Sequence, residues 1–211
     1  MTTKELHISP LGRVEGALDV KVKIADGVVT EAWTEASMFR GFEIILKGKD
    51  PQAGLIVTPR ICGICGGSHL FKSVYALDTA WGTEVPPNAT LVRNIAQGCE
   101  TLQSIPRWFY ALFAIDFTNQ KYASAKLYDE VVRRMAPIVG TSYEGGVSTS
   151  NKPVEVYAMF GGQWPHSSFM VPGGVMCGPT LSEGTRSIAI LEYWKNTWLE
   201  PVWLGCSIDR W

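Results

Sequence analysis

The chain has 211 residues, 46% of them hydrophobic and 18% charged, with a formal net charge of −1. That length holds one large domain or two small ones around a substantial core, and the near-neutral balance excludes nucleic acid or an anionic membrane surface as the expected partner. Five cysteines, an odd number in a long chain, do not make a disulfide framework and fit a reducing compartment or a metal site.

Met1 to Leu6 has no apolar signal-peptide core. The longest apolar patch, Trp108 to Phe117, is too short for a membrane span and carries Asp116. The expectation is no transmembrane segment and a location in the cytoplasm or peripheral to the cytoplasmic membrane. Eight tryptophans point to large buried or interfacial surfaces.

In chain order, residues 18–36 read as a hairpin. Leu18, Val20, Val22 and Ile24 alternate with polar residues, and Asp26-Gly27 supplies the turn. The charged pair of Arg13-Val14-Glu15-Gly16 precedes it. Residues 37–50 read as mostly helical, with Phe42, Ile45 and Leu46 at helical spacing and Glu43 among them. A helix over 68–80 ends near Gly82. Asn88 is placed to cap the next helix, with Leu91, Ile95 and Leu102 on one face, and Pro106 interrupts or kinks it. A helix follows over 123–135. Gly140 to Asn151 reads as a loop, Val154 to Met159 as a short strand, and Gly161 to His166 as an irregular turn. Ser182 is placed to cap a long helix from Glu183 to about Leu199. The ending, Pro201 to Trp211, is apolar and reads as a surface to be continued or covered by another chain.

The chemistry centres on Thr58-Pro59-Arg60-Ile61-Cys62-Gly63-Ile64-Cys65-Gly66-Gly67-Ser68-His69. Two thiols three residues apart can hold one metal from a single turn of backbone. Gly63, Gly66 and Gly67 are expected to let the chain wrap tightly, glycine being tolerant of positive φ and having no Cβ to clash. Taken alone, a CxxC leaves a redox dithiol, half a zinc site and two inert cysteines all open. Cys99, Cys177 and Cys206 are isolated and offer no second pair.

Five motifs in one order resemble the large subunit of nickel–iron hydrogenases. They are Arg13-Val14-Glu15-Gly16; Phe39-Arg40-Gly41-Phe42-Glu43 with Lys47 to Pro51; Arg60 to Cys65 with His69; Pro86-Pro87-Asn88-Ala89 with Arg93-Asn94; and Gly161-Gly162 with Pro165-His166. The resemblance covers the family's N-terminal part only, because nothing matches its C-terminal CxxC. It implies an α+β, mainly helical fold: an antiparallel sheet over 1–36, then a helical metal-binding core over 37–211.

It further implies a nickel–iron centre with diatomic ligands on iron, acting in the reversible oxidation of H2. Cys62 would be a terminal nickel ligand and Cys65 would bridge nickel and iron. His69 would hydrogen-bond toward a ligand sulfur, Glu15 would relay protons, and Glu43 would help hold a magnesium. His166 would lie toward an iron–sulfur small subunit. A second chain would supply the missing CxxC if the protein is split, so catalysis by this chain alone is not expected. The alternative is a non-catalytic remnant that scaffolds an iron–sulfur partner. Two departures stand out: Ala17 follows the Arg-x-Glu-Gly motif where the family often has histidine, and Gln103-Ser104-Ile105 occupies the place of a His-Asp-His.

Overall fold

The computed structural model describes residues 2–12 and 14–203. Arg13 and Leu204 to Trp211, with Cys206, lie outside the described residues. The chain divides into a unit of Met1–Gly41 and a unit of Phe42–Trp211. The architecture is the expected one, an N-terminal antiparallel sheet followed mostly by helices.

The first unit is a three-stranded antiparallel sheet in the order β1 (Thr3–Gly12), β2 (Leu18–Ala25), β3 (Val28–Ala36). Asp26 and Gly27 both have positive φ, 51° and 83°, so their turn twists with the strands it joins. β1 is an addition to the expected hairpin; it pairs Thr3 with Ala25 and Leu6 with Val22. On one face Lys21 meets Glu5 at 3.5 Å and Lys23 meets Glu31 at 3.4 Å. Leu6, Ile8, Val20, Val22 and Ile24 share the opposite face by the alternation of the register.

The second unit opens with two short helices, α1 (Phe42–Leu46) and α2 (Ala53–Val57), where the sequence pattern predicts a longer one. Two longer helices follow, α3 (Gly66–Trp81) and α4 (Pro87–Arg107). Gly82 ends α3 with φ +65° in the left-handed region, a termination that glycine permits. Pro87 sits at the first position of α4, where its missing N–H costs nothing; Asn88 is inside the helix. The buried face of α4 is Ala89, Val92, Arg93, Ala96, Cys99, Glu100 and Gln103, whereas Leu91 and Ile95 are exposed. That reverses the expected face: α4 turns small and hydrogen-bonding residues inward. Pro106 does not interrupt α4; a wider helical turn, Trp108–Phe113, follows it.

Short helical turns over Ala114–Thr118 and Gln120–Tyr122 lead to α5 (Tyr128–Met135), α6 (Thr141–Thr149) and α7 (Asn151–Gly161). The predicted loop over 140–151 is therefore largely a helix. Gly146 lies against the Tyr110 ring, where a Cβ would collide, so close packing retains glycine despite its poor helix propensity. The predicted strand over 154–159 is also helical. Val156, Tyr157 and Phe160 are buried in the cluster formed with α3 and α4, and that packing overrides β-branched propensity.

A two-residue ribbon pairs β4 (Met170–Val171) with β5 (Gly174–Val175). Thr180, not Ser182, caps α8 (Leu181–Trp194): its hydroxyl accepts from the Glu183 N–H while Glu183 reaches back to the Thr180 N–H.

Two clusters hold the unit. Leu70, Val74, Val92, Ala96, Val156, Tyr157 and Phe160 bring α3, α4 and α7 together with Phe169 and Met170. Tyr110, Trp194 and Trp198 tie α8 and its extension to the turn after α4. A buried ion pair clamps the β4–β5 ribbon. Arg93 Nη1 donates to Asp78 at 2.6 Å, Arg93 Nη2 donates to the carbonyls of Val171 and Gly174, and the Gly173 N–H donates to Asp78 at 2.7 Å.

Replacing Asp78 with Ala strands the buried Arg93 guanidinium and is expected to cost about 3–5 kcal/mol, seen as a lower urea midpoint of the full chain. Burial pushes the Cys99 thiol from an ordinary 9.0 up to about 12. It also pushes Tyr157 from 10.0 to about 12, against the lowering effect of the Ser167 hydroxyl bond. Both protons are held more tightly in the fold than in the unfolded chain. Their contribution is therefore complete below pH 9 and is lost as pH rises toward 12, by up to about 1.4 kcal/mol per group per pH unit. Urea midpoints between pH 9 and 10 should decline in the native protein and be flatter in Cys99→Ala, because Tyr157 begins to contribute only above pH 10.

Candidate metal centre

Thr58–Arg60 form a single 3₁₀ turn, and the following five residues lead into α3. The turn is tied to the helix through Thr58, whose hydroxyl lies 2.7 Å from that of Ser73 and donates to the His69 carbonyl at 3.3 Å. Cys62 Sγ accepts the backbone N–H groups of Ile64 at 3.3 Å and Cys65 at 3.1 Å. The thiolate is the form that ligates a soft metal. Both thiols are half-buried.

None of Gly63, Gly66 and Gly67 has positive φ, so of the two reasons expected for these glycines only the missing Cβ applies, at Gly66 and Gly67. Gly66 and Gly67 are demanded by close approach instead. A Cβ on Gly66 would lie 2.7 Å from the Pro59 carbonyl oxygen, and one on Gly67 would lie 2.6 Å from Glu100 Oε2 and 2.7 Å from the Tyr157 ring.

The first turn of α3 leaves backbone N–H groups without helical partners, and Cys65, at the cap position, makes no side-chain cap bond. A carboxylate from α4 takes that role. Glu100 Oε2 accepts the Gly67 N–H at 2.8 Å; Glu100 Oε1 accepts the Ser68 N–H and the Ser68 hydroxyl, both at 2.7 Å. Trp164 Nε1 donates to the same carboxylate at 3.4 Å, and Gln97 Nε2 donates to the Ser68 hydroxyl at 2.8 Å. Glu100 is 1% exposed. Trp164 is backed by the Arg107 guanidinium, 5.7 Å from its ring. The Tyr157 hydroxyl pairs with Ser167 at 2.6 Å.

Sequence reasoning missed Glu100, Trp164 and Tyr157. One signal was available for Glu100: it is in helical phase with Val92, Arg93 and Ala96, so a face that buries those residues buries the carboxylate too.

The expected site residues separate. Cys62, Cys65 and His69 all lie in the second unit, on the loop and the first turn of α3; His69 is half-buried, with its backbone N–H on the Cys65 carbonyl at 3.2 Å. His166 packs against the same loop: its Nδ1 donates to the Pro59 carbonyl at 2.7 Å from a backbone at φ 65°. Glu15 is exposed in the bend between β1 and β2, in the first unit. Glu43 is exposed on α1. Gln103 is fully buried; its amide donates to Ser104 and accepts from Arg107.

Two soft donors from one turn, with backbone N–H groups already on one sulfur, fit a thiolate-bound metal. Among the described residues no three His, Cys, Asp or Glu side chains converge as a metal cage. The loop therefore fits part of a donor set rather than all of it, and the described residues alone do not build a magnesium site around Glu43.

A family model described as nickel-dependent hydrogenase matches residues 40–136. The periplasmic [NiFeSe] hydrogenase large subunit of Desulfomicrobium baculatum is 37% identical over 194 residues, which are 85% of this chain and 38% of that protein. The hydrogenase-2 large chain of Escherichia coli K12 is 31% identical over 81% of this chain and 32% of its own length. The solved [NiFeSe] hydrogenase of D. vulgaris Hildenborough in the reduced state superposes with a TM-score of 0.72 at 31% identity, over 92% of this chain and 42% of that one. The chain thus spans about a third to two-fifths of the length of these relatives. Residues 40–136 belong to the nickel-dependent hydrogenase family, and the chain as a whole matches the N-terminal portion of its large subunits.

Proposed function

We propose that this chain forms the N-terminal part of the large subunit of a nickel–iron hydrogenase and supplies half of the thiolates for the reaction H2 ⇌ 2H⁺ + 2e⁻. One observation carries the reading: Cys62 Sγ receives two backbone N–H groups in a CxxC loop that opens a buried helix. Cys62 and Cys65 would hold the nickel–iron centre through their thiolates. The other two thiolates come from polypeptide outside these 211 residues, whether in the same protein or in a partner. The lack of a third converging donor among the described residues supports that division.

When bound, the nickel–iron centre supplies the redox chemistry and the soft Lewis acidity. The chain's own residues hold and move protons. A cysteine sulfur accepts one, and Glu15 passes it toward solvent. His69, one turn beyond Cys65, steadies a ligand sulfur from behind. An iron–sulfur small subunit receives the electrons, with His166 on the side that faces it. A magnesium at Glu43 would need its remaining oxygen ligands from outside the described residues. Among the described residues no helix is long and apolar enough to cross a membrane.

The test is nickel and iron content of the complex purified from its host, with the intact mass of every co-purifying chain. About one nickel per complex is expected, falling to background in Cys62→Ala and Cys65→Ala; a native complex without nickel overturns the reading. Glu15→Gln should keep its nickel yet lose roughly 10²–10⁴-fold in H2 turnover, and unchanged turnover removes Glu15 from the relay.

A further inference from the structure

We infer that Glu100 is the positioning residue of the metal-binding loop: a buried carboxylate on α4 that fixes Cys65 by capping the helix on which this cysteine stands. The inference rests on the hydrogenase reading for what Cys65 binds, but not for how Cys65 is held.

Among the described residues, the four hydrogen bonds to Glu100 all come from donors. Two are the backbone N–H groups of Gly67 and Ser68, one is the Ser68 hydroxyl and one is the Trp164 indole. The group serves wholly as an acceptor, and it sits where the helix dipole favours negative charge. It is also 1% exposed, so no water can replace it. A short polar cap such as serine at position 65 would have met the same need locally. The chain instead has cysteine there and brings the acceptor from α4, 33 residues beyond Gly67, which spares the Cys65 side chain from capping.

The fit around this contact is tight from every side. Gly67 has no room for a Cβ because Glu100 and Tyr157 occupy the space. Trp164 presses on the carboxylate with Arg107 behind it, and Gln97 holds the Ser68 hydroxyl in place. Cys65 directly precedes the capped turn, so the direction of its Cα–Cβ bond follows the placement of Gly66 and Gly67. A shift of that turn therefore moves Cys65 relative to Cys62 and spoils the spacing that two thiolates on one metal require.

Glu100→Gln tests this in the complex purified from its host. An amide keeps one acceptor and turns an NH2 toward donors. Losing a charge-assisted bond is expected to speed amide hydrogen exchange at residues 66–69 by roughly tenfold to a hundredfold. Amides of α7 away from Tyr157 should exchange at the native rate, and nickel content should fall several-fold. Glu100→Asp, which retains the charge on a shorter arm, should recover part of both.

If Glu100→Gln does not fold, Ser68→Ala, which removes one donor and leaves the core intact, should shift both readouts in the same direction by less. Native exchange at 66–69 in the folded variants overturns the inference. So does a rise spread equally over α3, α4 and α7, which marks a general core defect. Exchange that rises locally in a complex whose native form holds no nickel supports Glu100 as the cap and sinks the hydrogenase reading instead.

Discussion

The second unit depends on a carboxylate capping a helix from a distance. Glu100 lies on α4, yet it satisfies the first N–H groups of α3, immediately after the two cysteines. An unpaired buried carboxylate would be costly, and so would unpaired buried N–H groups. Each resolves the other, which couples the packing of α3 on α4 to the geometry of the thiol loop. Gly67 follows from that coupling, since only a residue without a Cβ allows the approach.

The same logic recurs at the far end of the pair of helices. Asp78 on α3 and Arg93 on α4 neutralise each other, and their remaining hydrogen-bonding capacity grips the β4–β5 ribbon. Between these two polar ties lies the apolar contact of Leu70, Val74, Val92 and Ala96 with α7. The polar ties give direction to an interface whose apolar part is non-directional. The thiol loop thereby stands on a frame fixed at both ends.

A metal centre built on this frame has an uneven division of labour. The loop supplies two sulfurs and the helix beneath them supplies rigidity. The described residues bring no third ligand to the place. The chain spans about a third to two-fifths of its relatives' length.

The sequence by itself determined the family, the hairpin with its Asp26-Gly27 turn, the helix after the thiols and the CxxC with His69 beyond it. Each of these is written in local spacing or in the linear order of motifs, which a chain carries whether folded or not. Tertiary structure alone decided that residues 141–149 and 151–161 are helical, because the decisive terms are the Tyr110 ring against Gly146 and the burial of Val156 and Tyr157. It also chose the buried face of α4: Leu91 and Ile95 look like core residues in sequence, whereas Arg93, Glu100 and Gln103 are the ones buried. Glu100 was hidden for the same reason. A buried charge shows itself only through its partners, and those partners lie 32 and 33 residues away, joined to it by folding and not by spacing.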